Sequence, residues 1–171
     1  LRVKKLQTII FLKTDQKMTL AQAKKTAPAF DTNNVAIAVA ANDYFIPYCA
    51  TFLKSMAEHS DSDKNYDILL LSQDVSDINV KNVKKMLSAW KNISLRVLDP
   101  SVLIDQYTFH IEGHFSKETY YRLVLPELLP NYDKVLYLDS DMIAMDDVSK
   151  IYDENIDGYL LAACHDADTA G

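Results

Sequence analysis

Apolar positions in this chain fall into short solid blocks, separated by longer stretches in which they recur at helical spacing. Val35 to Ala41 is an unbroken run of small apolar residues, which predicts a strand buried on both faces of a parallel sheet. Pro47 then stands where a first helical turn accepts proline, and Tyr48, Cys49, Phe52, Leu53 and Met56 fall on one helical face. Ile68 to Leu71 predicts a second buried strand. Ser76 is a candidate N-cap for a helix that carries Val80, Val83, Leu87 and Trp90 at helical spacing. Leu95 and Val97, with their alternating partners, predict a third strand. Residues 100–113 read as loop with a short helical piece, and Ser116 can cap a helix running through Tyr120 and Leu123 until Pro126 disturbs it. Val135 to Leu138 predicts another buried strand and Leu160 to Cys164 one more. Residues 1–34 are rich in Lys, Gln and Thr around one apolar cluster and end in the turn-like Asp31-Thr32-Asn33-Asn34, so they read as an extension or connector.

Strands alternating with helices imply an α/β fold: right-handed crossovers and a mostly parallel central sheet covered on both sides. Such sheets bind ligands at the C-terminal ends of their strands. Those ends carry Asn42 and Asp43, Asp139 and Asp141, and His165 and Asp166.

Composition narrows the choice of partner. With 171 residues, 49% hydrophobic and only 3 Gly and 5 Pro, the chain can fill the core of one globular domain, which excludes a disordered segment. Acidic residues outnumber basic ones by 24 to 18, and the basic ones form scattered pairs, not a stripe, which excludes nucleic acid. Cys49 and Cys164 sit among apolar neighbours without metal-ligand spacing, so both are expected as buried free thiols in a reducing, cytoplasmic compartment. Ile9 to Leu12 is too short to span a membrane and lacks a small-residue cleavage site. Leu1 in place of Met points to a true N-terminus lying upstream.

The chemistry centres on Lys134-Val135-Leu136-Tyr137-Leu138-Asp139-Ser140-Asp141, where a buried strand runs directly into two carboxylates. Residues i and i+2 of a strand share a face about 7 Å apart, so Asp139 and Asp141 can converge on one ion. Paired carboxylates at a core edge need a cation or open solvent beside them. Hard oxygen ligands favour Mn²⁺ or Mg²⁺, which bind through one or two carboxylates together with substrate phosphates. The motif alone also fits an acidic loop that merely ends a strand, and it fits a haloacid dehalogenase-type phosphatase. That phosphatase motif, however, belongs on a first strand and continues into Gly and Thr, whereas Met142 and Ile143 follow here. His110-Ile111-Glu112-Gly113-His114 is no zinc protease site, because Glu would have to follow the first His directly on an unbroken helix.

Three motifs in order, Ala40-Ala41-Asn42-Asp43-Tyr44-Phe45, Thr119-Tyr120-Tyr121-Arg122-Leu123 and Tyr137-Leu138-Asp139-Ser140-Asp141, give residues 35 to 166 a resemblance to the nucleotide-sugar half of the family 8 glycosyltransferases, lipopolysaccharide hexosyltransferases and glycogenins among them. The resemblance implies a Rossmann-like GT-A fold. It implies that Asp139 and Asp141 hold Mn²⁺ and the donor diphosphate, with Ser140 near the ribose. Ala40, Ala41 and Asn42 would lie along the uracil, with Phe45 stacking on it, since Phe keeps the ring face of the usual Tyr. Arg122 would approach the diphosphate and donor sugar, as its paired donors and permanent charge suit. Asp166 would touch sugar hydroxyls and His114 would lie near the donor. Taken without their motifs, Arg122 reads equally as a solvated helix arginine, Asp166 as a strand-end aspartate satisfied by loop amides, and His114 as a loop histidine.

The implied reaction moves a hexose from UDP-glucose or UDP-galactose to a saccharide or other acceptor with retention of configuration. No carboxylate nucleophile is evident, so a covalent intermediate and same-face attack both stay open. The resemblance also implies an Asn-x-Gly loop, a metal-ligating histidine and a lysine beyond Gly171, so the chain is expected to be a donor-binding part truncated at its C-terminus. A non-catalytic nucleotide-sugar-binding fragment is the alternative. Any membrane contact would be peripheral and made by other regions.

Overall fold

The computed structural model describes residues 10–13, 26–107 and 117–164. Among them are strands β1 (Ile10–Lys13), β2 (Asn34–Ala40), β3 (Asn65–Leu71), β4 (Ile93–Leu98), β5 (Lys134–Leu138) and β6 (Leu161–Ala163), and helices α1 (Ile46–Glu58), α2 (Asp77–Leu87), α3 (Ser101–Ile104), α4 (Leu125–Leu128) and α5 (Ser149–Tyr152), with a 3₁₀ helix over Lys117–Val124. The strands form one sheet in the order β4-β3-β2-β5-β1-β6. β2, β3, β4 and β5 run parallel, and β1 lies antiparallel between β5 and β6. The fold is α/β, as the block pattern predicts. The apolar cluster near the start, read from sequence as part of a connector, contributes β1 to this sheet, with Ile10 opposite Tyr137.

Alternation along the central strands feeds two cores. Val35, Ile37, Val39 and Ala41 join Cys49, Phe52, Leu53 and Met56 of α1 and Val83 and Leu87 of α2 on one face. Ala36, Ala38 and Ala40 point to the other, against Tyr121, Leu125, Tyr132 and Tyr137. Alanine is the size that lets those large side chains pack onto the strand at crystal-like density.

Several local expectations change. Tyr48 stays 54% exposed at the rim of α1, because Cys49, Phe52, Leu53 and Met56 already cover the face that meets the sheet. The helix expected to run into Pro126 is a 3₁₀ helix that gives way to α4, whose first turn accommodates the proline. In this tighter winding, residues three apart eclipse, so Tyr121 and Val124 share the buried side while Arg122 lines up with Thr119. Ser76 occupies the N-cap position of α2 but its side chain makes no capping bond. Cys49 is buried and its desolvated thiol is pushed up to about 12, whereas Cys164, expected buried, is exposed beyond β6; both are free. Among the described residues no helix is long and apolar enough to cross a membrane.

Near the N-terminal ends of the parallel strands, Asp67 of β3 is fully buried and fully engaged. Its Oδ1 accepts Arg96 Nε at 3.1 Å, and its Oδ2 accepts Arg96 Nη2 at 2.5 Å, the Tyr132 hydroxyl at 2.7 Å and the Ala29 amide at 3.0 Å. Arg96 also donates to the Ala27 carbonyl at 2.9 Å, so the cluster ties the segment entering β2 to the sheet. Breaking one partner of a buried pair strands the other. With Arg96 itself partly exposed, Asp67→Ala is expected to cost about 2–3 kcal/mol; urea unfolding of the two proteins measures it.

Candidate functional site

The polar crevice follows from strand order. From β2 the chain moves outward to β3 and β4, then crosses back to place β5 on the opposite side of β2. Crossovers leave in opposite directions at this point, and such a reversal opens a gap at the C-terminal strand ends. Val39 of β2 pairs with Leu138 of β5, so Ala40 to Asp43 and Asp139 to Asp141 leave the sheet side by side.

On the β5 side, Leu136 and Leu138 enter the helix-α1 core while Tyr137 faces the other core, and Asp139 stands directly beyond the last residue of the strand. Arg122 meets it there. Its Nη2 donates to Asp139 Oδ1 at 3.0 Å, its Nε donates to the Thr119 carbonyl at 2.9 Å, and its guanidinium carbon lies 4.5 Å from the centre of the Tyr137 ring. The side chains of Arg122 and Asp139 are 14% and 20% exposed, which leaves the pair shielded yet reachable from the crevice. Burial pushes the Tyr137 phenol up to about 12, against the opposing pull of Arg122, so the ring supporting the arginine stays neutral. Ser140 is buried between the two aspartates, and Asp141 is half-buried.

On the β2 side, Ala40 and Ala41 put their methyl groups into the two cores, and the Ala41 amide donates to the Leu71 carbonyl at 3.3 Å. Asn42 folds back on the chain: both its carbonyl and its Oδ1 accept the Phe45 amide, at 3.0 and 3.1 Å, closing a turn over residues 42–45 that leads into α1. That turn displays Phe45 between Tyr44 and Tyr48, ring centres 5.7 and 5.6 Å away, with all three rings exposed. Sequence reasoning placed Phe45 here but missed Tyr44 and assigned Tyr48 to the core. Asp43 faces elsewhere. Its Oδ1 accepts the Ser76 amide at 2.7 Å and Asn79 Nδ2 at 2.9 Å, so it caps α2 in place of Ser76, and these two bonds hold its carboxyl below the usual range. His114, His165 and Asp166, like the rest of the stretch from His110 to His114, lie outside the described residues.

The donor set suits a hard divalent cation. A carboxylate has about four lone-pair positions, so an arginine on one oxygen is compatible with a cation on the same group. Among the described residues no three of His, Cys, Asp and Glu gather as a cage. Two carboxylates with the rest of the shell from a ligand is the arrangement Mg²⁺ and Mn²⁺ adopt with phosphates.

The layout, a parallel α/β sheet with an acidic pair at its reversal, is that of a GT-A-like glycosyltransferase, and solved structures match it as such. An apo structure of the bifunctional glycosyltransferase WbbM superposes with a TM-score of 0.65 at 32% identity, over 78% of this chain and 23% of that one. A structure of the galactosyltransferase LgtC in complex with donor and acceptor sugar analogs gives 0.56 at 28% identity, over 71% and 43%. Residues 36–170 match the model of Glycosyl transferase family 8, and the chain belongs to that family. General stress protein A of Bacillus subtilis is 23% identical over 130 residues, covering 74% of this chain and 44% of that protein. The chain therefore spans less than half the length of these relatives. Family membership removes the phosphatase reading.

Because its carboxyl is held low in the folded state, Asp43 contributes stability above the ordinary carboxylate range, and that contribution is lost as pH falls through the lowered value. Asp43→Ala is expected to lower the melting temperature more at pH 7 than at low pH, where the carboxyl is protonated in both states. Melts of both proteins at the two pH values check this, and an equal gap would exclude the carboxylate charge as the cause.

Proposed function

We propose that this chain is the donor-binding part of a metal-dependent hexosyltransferase, with residues 35–171 forming that part, and that its donor is UDP-glucose or UDP-galactose. The observation that carries the reading is the meeting of Arg122 with Asp139 at the strand-order reversal, 3.0 Å apart, although they come from separate sequence motifs. Asp139 and Asp141 would hold Mn²⁺ or Mg²⁺, which when bound supplies positive charge to the donor diphosphate. Arg122 adds paired, permanently charged donors for the phosphate oxygens. The exposed ring of Phe45 offers a face for the uracil, and Asn42, Ala40 and Ala41 offer backbone at its edge, with Ser140 toward the ribose.

As the bond to the anomeric carbon breaks, negative charge develops on the leaving UDP, and preorganised donors in a shielded crevice stabilise it. Arg122 is already held in place for that task by Thr119 and Tyr137. His114 near the donor and Asp166 on the sugar hydroxyls complete the reading, with transfer to a saccharide or glycan acceptor, retention of configuration and a cytoplasmic setting as parts of the same proposal. Acceptor contacts and full activity belong to the whole protein.

Calorimetry with UDP is the test. Binding is expected with Mn²⁺ and not without it, and Asp141→Ala is expected to weaken it about tenfold or more, the equivalent of losing a contact worth about 1.4 kcal/mol. Binding that is absent, or indifferent to the metal, sinks the donor-site reading. Slow hydrolysis of the UDP-sugar by the same chain would separate an enzyme from a binding fragment.

A further inference from the structure

Resting on the donor-site reading, we infer that Tyr137 is a positioning residue: it fixes Arg122 as the counter-ion of Asp139, so that the site takes up a divalent cation together with a diphosphate in preference to the cation alone. Asp139 has its charge matched by a guanidinium at 3.0 Å. A bare divalent cation arriving at Asp139 therefore meets a like charge at the carboxylate it needs, which weakens its binding. A diphosphate reverses the sign of this effect, since Arg122 then faces an anion. Arg122 donates through Nε to Thr119 and through Nη2 to Asp139, so Nη1 is the edge that can turn to such an anion.

The coupling needs the arginine to stay where it is. Three features hold it: the Thr119 carbonyl one 3₁₀ turn earlier, the Asp139 carboxylate, and the Tyr137 ring face beneath. Tyr137 is 2% exposed in the core on the face of the sheet away from α1, and its ring centre lies 4.5 Å from the guanidinium carbon. Without a ring there, the guanidinium loses its support and can swing toward solvent, so one change would relieve the repulsion felt by a lone cation and remove the donor offered to a diphosphate. By linkage, the factor by which the nucleotide tightens the metal equals the factor by which the metal tightens the nucleotide, so a single cycle of measurements reads the coupling.

The experiment titrates Mn²⁺ alone by electron paramagnetic resonance and UDP at saturating Mn²⁺ by calorimetry, in wild type, Arg122→Gln, Tyr137→Leu and Tyr137→Phe. Arg122→Gln is expected to bind Mn²⁺ alone more tightly, by about threefold, and UDP with Mn²⁺ about tenfold more weakly. Tyr137→Leu is expected to move both constants in the same opposed directions by about threefold, while Tyr137→Phe, which keeps the ring face, stays within about twofold of wild type. Opposed changes are a signature that simple loss of packing does not give, since a damaged site loses both ligands together. If Tyr137→Leu leaves both constants at their wild-type values while the wild type binds UDP, the inference fails and the donor reading stands. If Arg122→Gln weakens Mn²⁺ alone, the inference fails even should Tyr137→Leu not fold. If the wild type binds no UDP at saturating Mn²⁺, the donor reading fails and takes the coupling with it.

Discussion

A sheet covered on both faces can place charge only at its strand ends, and the strand order of this sheet decides which ends gather it. Between β2 and β5 the path of the chain reverses, so no crossover fills the space above their C-termini. All that concerns ligands follows from that gap. It sets the segment after Ala40 beside the segment after Leu138, and it lets the 3₁₀ helix bring Arg122 down onto Asp139 from the remaining side. Had β5 added at the β4 edge, the same motifs would be several strands apart.

Two aspartate–arginine pairs among the described residues show how burial sorts structure from chemistry. Asp67 is sealed, and four hydrogen bonds from Arg96, Tyr132 and Ala29 occupy its oxygens. A carboxylate so satisfied fixes backbone and has no capacity for a ligand. Asp139 accepts an Arg122 donor at 3.0 Å and stays partly exposed beyond the end of β5. Both pairs also involve a tyrosine. Tyr132 donates a hydroxyl bond to its aspartate, whereas Tyr137 offers its ring to its arginine. The first arrangement closes a network; the second supports a cation while leaving its hydrogen-bonding edges for others.

Membership of glycosyltransferase family 8 and a GT-A-like fold describe only the part of the relatives that this chain spans, less than half their length. Within that span lies the crevice built by β2, β5 and the 3₁₀ helix. The rings of Tyr44, Phe45 and Tyr48 are exposed and in mutual contact in the segment that leaves β2 and begins α1. The turn that Asn42 closes on the Phe45 amide leads into α1 without using these outward-facing side chains.

Patterning that acts over a few residues was legible in the chain itself. Solid apolar blocks announced β2, β3 and β5 and with them the parallel α/β plan, and an aspartate pair directly after such a block marked where polar chemistry leaves the core. What could not be read there depends on who the neighbours are. The cluster at Ile10 becomes a strand only because β5 and β6 supply antiparallel partners. Tyr48 satisfies helical spacing yet stays out, since the sheet has room for one face of α1 and other residues fill it. Asp43, placed by sequence at a ligand-facing strand end, turns to the amides of α2, which pack nearby only in the folded molecule. Arg122 was chosen by motif, but its seat on Tyr137 and its bond to Asp139 required the reversal of strand order. Sequence sets which residues prefer burial and which carry charge, through short-range periodicity; which charges meet is set by long-range closure of the sheet, whose pairings no local pattern encodes.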